Sequence, residues 1–138
     1  MRIIELYQVP KNRRGSFRNN GVRLEPHEEG TARFLALYGF NIEVICPNNT
    51  PKIKNPDILM SGTIWEMKAP TKYNRNTLKK KVRKASMQAQ RVVYDLRNAG
   101  KDHDELRKAV IKLYEGNSNI RRMILITKDK KVLEFFKR

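Results

Sequence analysis

Cys46 is the only cysteine, so the chain holds no internal disulfide and suits a reducing compartment. With it stand two scattered histidines, His27 and His103, whose spacing makes no zinc site. No apolar stretch approaches the length of a membrane span. Glu5 and Gln8 interrupt any apolar segment after Met1, which excludes signal-peptide architecture. Repeats and low-complexity segments are also lacking. Acidic residues are scarce: 14 Asp+Glu face 30 Lys+Arg, a formal net charge of +16. The sequence pI is near 10.3. Such an excess strains a compact chain by self-repulsion and points to a polyanionic partner, whether RNA, DNA or an acidic protein surface. What remains is a chain of 138 residues, enough for one domain with a genuine hydrophobic core. We expect no membrane partner and a cytoplasmic site of action, with delivery by secretion or within a parent protein left open.

The run from Asn55 to Lys68 is the most informative. Ile58-Leu59-Met60 and Thr63-Ile64-Trp65 are strand-forming, and Ser61-Gly62 between them is a two-residue turn, so the stretch predicts a β-hairpin. Closing at that turn pairs Met60 with Thr63 and sets Asp57 opposite Glu66. Side chains alternate with period two, sending Glu66 and Lys68 to one face and Trp65 and Met67 to the other. Two carboxylates and an ammonium thus converge on an otherwise apolar hairpin. Directly opposed like charges destabilise a sheet, so the pair makes sense mainly with a cation between them. Oxygen ligands without His or Cys favour a hard ion such as Mg²⁺ or Mn²⁺. The alternative reading makes Glu66 and Lys68 exposed polar positions and Asp57 a turn residue after Pro56.

Upstream, Ile3 to Val9 reads as a short strand or leading arm. Lys11 to Gly21 is basic and polar, a loop or mobile segment whose Arg13, Arg14 and Arg18 can meet phosphates or merely solubilise it. We therefore expect a basic arm over 1–21 and a core over 22–138. A first helix is predicted from Glu25-Pro26 to Gly39, with proline well placed in its first turn. Leu24, Glu28, Thr31, Leu35 and Tyr38 share one stripe, which puts Glu28 toward the core, where an unpaired carboxylate is expensive. Its alternative role is to meet the helix dipole at the N-terminus. Glu29, four residues before Arg33, reads as a surface pair.

Asn41 to Cys46 predicts a strand, and Pro70 stops the second strand of the hairpin. The longest helix is predicted from Asn76 to Asn98, with Leu78, Val82, Ala85, Ala89, Val92, Val93 and Leu96 as its buried stripe. Lys79, Lys80, Lys81, Arg83 and Lys84 crowd its first half, so Lys79, Lys80 and Lys84, with Gln88 at the stripe's edge, are candidates to line a phosphate track. Gln90 and Tyr94 make a Gln-x-x-x-Tyr spacing known from some nucleases. On a helix both would project from the opposite face, so the match is read as accidental. Asp102-x-x-Glu105 is a capping box opening a helix to about Glu115. Met123 to Thr127 predicts a buried strand and Asp129 to Arg138 a short terminal helix.

The order helix, strand, strand, strand, helix, strand, with an acid on the first helix and Pro56-Asp57 followed by Glu66-Met67-Lys68, resembles the PD-(D/E)xK nuclease superfamily. Its fold is α/β, an αβββαβ core with a mixed central sheet flanked by helices. Glu28 through Phe40 and the basic segment Lys84-Ala85-x-x-Gln88-Ala89 look more closely like one branch: the tRNA-nuclease C-terminal domain of CdiA-type contact-dependent growth inhibition toxins. That resemblance spans roughly Pro26 to Thr127. It implies metal-binding roles for Glu28, Asp57 and Glu66, a catalytic role for Lys68, and a nuclease that hydrolyses RNA, tRNA above all. It also implies an acidic immunity protein as partner. A chain opening on its own methionine suits a mobile-element or phage-encoded relative as well. Competing classes are a DNA endonuclease of the same superfamily and a non-catalytic nucleic-acid-binding protein.

Overall fold

A computed structural model describes residues 4–45, 57–69, 90–100, 103–116 and 119–137. These form β1 (Ile4–Gln8), β2 (Phe17–Arg18), α1 (Pro26–Tyr38), β3 (Ile42–Val44), β4 (Asp57–Met60), β5 (Thr63–Lys68), β6 (Arg91–Asp95), α2 (His103–Gly116), β7 (Arg122–Ile126) and β8 (Val132–Lys137). One eight-stranded sheet runs in the order β1-β8-β7-β6-β5-β4-β3-β2. β5, β6 and β7 are parallel, as are β2 and β3, and the other pairs are antiparallel. The fold is α/β with a mixed central sheet, as the sequence predicts.

Alternation along the strands splits the core in two. Ile58, Met60, Trp65, Met67, Val93, Ile124 and Ile126 pack with Ala32, Leu35 and Ala36 of α1. Val92, Tyr94, Met123, Leu125 and Phe135 pack on the other face with Leu106, Val110 and Tyr114 of α2. Those three α2 residues recur every four positions, one stripe of a helix. Each fully buried large side chain contributes about 1.5–3 kcal/mol. Central strands covered on both faces become continuous apolar runs.

α1 starts where Pro26, already fixed in φ, occupies the first turn, and it ends at Gly39, whose φ is 132°. The predicted hairpin register holds: Asp57↔Glu66, Ile58↔Trp65, Leu59↔Ile64 and Met60↔Thr63. Ser61 and Gly62 take φ of 54° and 79°, both positive, as a type I′ turn requires.

Three expectations are corrected. Residues 91–95, expected as the end of a long helix, are the central strand β6, so Val92 and Val93 lie on opposite sheet faces instead of one helical stripe. Residues 132–137, expected as a helix, are β8, sealed by antiparallel pairing to both β7 and β1. The expected basic arm is fastened at several points over its described residues, from Ile4 onward. β1 pairs with β8, the Asn12 and Gly15 amides donate to the Tyr38 and Ala36 carbonyls at 2.9 and 2.7 Å, and β2 pairs with β3. The first part of the expected long helix, 76–89, lies outside the described residues, as do Cys46, Pro56, Pro70 and Asp102.

Candidate active site

Glu66 and Lys68 sit two residues apart on β5 and therefore on one face, the face opposite α1. Neither is an exposed polar position: their side chains are 0% and 5% exposed. The Lys68 Nζ lies 3.0 Å from Glu66 Oε1. A buried charge needs a partner, and here each supplies the other's. The alternative that made both surface residues is overturned. On the neighbouring strand β4, Asp57 is the cross-strand partner of Glu66.

On the other side of β5, parallel β6 brings Val92 level with Glu66 and Tyr94 level with Lys68. The Tyr94 ring belongs to the α2-side core and the residue is 1% exposed. Burial pushes its phenol well above the ordinary value, and the Glu66 carboxylate pushes it further, so it stays protonated. Its hydroxyl has no hydrogen-bond partner among the described residues.

Glu28 is buried at 5% exposure near the start of α1, and its carboxylate accepts the Glu25 amide at 3.1 Å. That bond is half of a capping box, the N-terminal role held open above. Among the described residues no hydrogen bond or ion pair joins Glu28 to Glu66 or Lys68, and no group of three or more His, Cys, Asp and Glu forms a metal cluster. α1 lies on the opposite sheet face. Its register on the sheet is set by Thr31, whose hydroxyl donates to Asp95 Oδ2 at 2.6 Å. Asp95 is a buried acid the sequence reading passed over. Arg97 neutralises it at 2.7 Å and donates to the Gly30 carbonyl at 3.0 Å. This knot ties the first turns of α1 over the carboxyl end of β6, the strand beside Lys68.

Lys79, Lys80, Lys84 and Gln88 lie outside the described residues. Arg13 and Arg14 are exposed. Arg14 lines an open cleft of about 530 Å³ with Arg18, Arg33, Asn19, Asn20, Phe17 and Leu37. Arg33 also pairs with Glu29 at 3.3 Å, as its spacing predicts, and lies over the Phe17 ring at 4.9 Å. This cationic cleft is on the α1 side of the sheet, away from the Glu66–Lys68 face.

A mixed sheet with a buried acid–lysine pair at the carboxyl end of a parallel strand, and a second acid in register beside it, defines a class of α/β protein with an acid-and-lysine polar centre. Residues 54–132 match the family described as the Contact-dependent growth inhibition CdiA C-terminal domain, and the chain belongs to that family. The match covers β4 through β7, and so both strands of the hairpin. The fold is similar to that of a CdiA-CT/CdiI toxin and immunity complex from Burkholderia pseudomallei, at 21% identity and a TM-score of 0.60, covering 86% of this chain and 98% of that one. No curated protein matches the chain in sequence. Among the described residues no helix is long and apolar enough to cross a membrane.

Proposed function

We propose that this protein is a toxin domain acting as a metal-dependent nuclease that hydrolyses RNA, with tRNA as the favoured substrate. The observation that carries this reading is the buried Glu66–Lys68 pair at 3.0 Å, with Asp57 in register across the hairpin. Hydrophobic burial alone gives no reason to hold an acid and an amine inside a sheet, since apolar residues of like volume serve stability as well or better. The αβββ order of α1, β3, β4 and β5, followed after residues 70–89 by β6, supports a PD-(D/E)xK-type core.

Two cross-strand acids with oxygen donors only fit a hard divalent ion, Mg²⁺ or Mn²⁺, held by Asp57 and Glu66. Glu28, buried near the start of α1, is the third acid proposed for that set. Bound there, the ion would supply charge neutralisation at the scissile phosphate and an acidified water. Lys68 orients the attacking water or steadies the negative charge growing on phosphorus, and Glu66 in turn fixes the Lys68 ammonium. In-line attack by water breaks the P–O3′ bond and leaves a 5′-phosphate and a 3′-hydroxyl.

The partner proposed besides RNA is an acidic immunity protein. The +16 charge favours such a partner, and the similar fold comes from a toxin and immunity complex. The test is incubation with total tRNA, ribosomal RNA and plasmid DNA, with Mg²⁺ or EDTA, beside Glu66→Gln. Cleavage of tRNA in Mg²⁺, lost with EDTA and in the variant, is the expected result. Cleavage of plasmid alone would move the reading to a DNA endonuclease. Binding of all three with no cleavage would leave a non-catalytic nucleic-acid-binding protein.

A further inference from the structure

A buried hydroxyl without a hydrogen-bond partner is uncommon, because leaving the group unsatisfied costs about 1–3 kcal/mol. Tyr94 carries one, in register with Lys68 on the adjacent parallel strand and on the face that holds Glu66. The nearby Tyr114, also buried in the α2-side core, shows the ordinary solution: its hydroxyl donates to the Arg121 carbonyl at 2.7 Å, with the Phe135 carbonyl at 3.2 Å. Among the described residues Tyr94 has no such carbonyl, and its hydroxyl makes no bond to the Glu66 carboxylate either. The O–H is left for a third party.

Resting on the nuclease reading above, we infer that Tyr94 is a further catalytic residue, its hydroxyl donating to a non-bridging oxygen of the phosphate held beside Lys68. The chemistry of the neighbours selects an anionic oxygen over other ligands. Lys68 offers a cation next to a neutral donor, and an O–H bonded to a charged oxygen is worth more than one bonded to a neutral group. The arrangement also accounts for why tyrosine stands where the surrounding α2-side core is served by Val92, Leu96 and Leu125. A phenylalanine would pack there equally well.

Tyr94→Phe deletes only the hydroxyl. The proposal is tested on the full chain by steady-state cleavage of tRNA in Mg²⁺, by melting temperature, and by titration with inorganic phosphate in Mn²⁺ as the probe. Expected are a kcat lowered roughly tenfold to hundredfold with KM little changed, weaker phosphate binding, and a melting temperature equal to or above wild type. Wild-type kcat and phosphate affinity in the variant would overturn the proposal. So would loss of the fold, since that would show the hydroxyl to be a structural bond. If the wild-type protein cleaves no nucleic acid, the nuclease reading fails by itself, and phosphate then decides. Binding weakened by Tyr94→Phe sustains the hydroxyl as an anion donor, while unchanged or absent phosphate binding overturns it.

Discussion

Lys68 is worth more to the fold than its place in a strongly basic chain suggests. With Glu66 fully buried, removing the ammonium deletes the ion pair that balances its charge inside the sheet. Lys68→Met should therefore cost about 3–5 kcal/mol. Replacing both, as Glu66→Gln with Lys68→Met, should recover most of that loss while leaving no cleavage. Urea unfolding of the three proteins checks this. A single variant as stable as wild type would mean that Glu66 draws its compensation elsewhere. Tyrosines make a second residue-scale expectation. Tyr114 is pushed up to about 12 by burial, with the Glu134 charge raising it and Arg122 opposing, and Tyr94 is raised too. A raised acid binds its proton more tightly in the folded state, so stability holds below the unfolded value near 10 and falls as pH climbs from there toward about 12. Melting temperature measured from pH 8 to 12 should stay level and then drop. Tyr114→Phe should lower the plateau, having lost a bond, and flatten the drop.

At the scale of elements, the segment between β1 and α1 is held by close backbone approach. A Cβ added to Gly15 would lie 1.9 Å from the Phe40 carbonyl oxygen, a clash with backbone that no side-chain shift relieves. Gly15→Ala should thus destabilise by more than about 2 kcal/mol, near the upper range for single substitutions, and calorimetry measures it directly. This contact explains why the segment could not be recognised as structured from sequence. Its order comes from amides bonding to the end of α1, at residues more than twenty positions away, and nothing local in Lys11 to Gly21 announces them. By contrast the β4–β5 hairpin was legible to the residue, because turn chemistry at Ser61-Gly62 sets the register locally. α1 was legible for the same kind of reason, with Pro26 and Gly39 marking its ends. β6 and β8 were not. Val92-Val93-Tyr94 is apolar on both sides since both sheet faces are covered, and in Val132-Leu133-Glu134-Phe135-Phe136 the apolar residues also fit a three-four spacing. Periodicity alone does not separate a doubly buried strand from a helix. In the candidate site the Glu66–Lys68 pairing followed from alternation. The Tyr94 hydroxyl did not, because a helical assignment turned it away from the site that β6 brings it to.

At the scale of the whole molecule, the described residues place charge on both faces of the sheet. The cleft formed by Arg14, Arg18 and Arg33 opens on the α1 side, while Glu66 and Lys68 lie on the other face of the sheet. A polyanion that reaches both can pass round the β2 edge of the sheet, where β2 carries Phe17 and Arg18 of the cleft. A folded RNA has the dimensions for this, and each phosphate met by an arginine releases counterions. Affinity should therefore fall log-linearly with salt, by about 0.7–0.9 log units per contact for each tenfold rise. Reversing Arg14 and Arg18 together to glutamate removes two exposed cations that the structure places in no ion pair among the described residues. The double variant should bind tRNA more weakly at low salt, with the slope reduced by about 1.4–1.8. Its kcat at saturating substrate should change little, since neither arginine approaches the acid–lysine pair. Filter binding at several salt concentrations, followed by cleavage under saturation, separates the two effects. A double variant keeping the wild-type slope would mark the cleft as a solvated surface and shift the grip to Lys79, Lys80 and Lys84, where charge crowds the sequence shortly after Lys68.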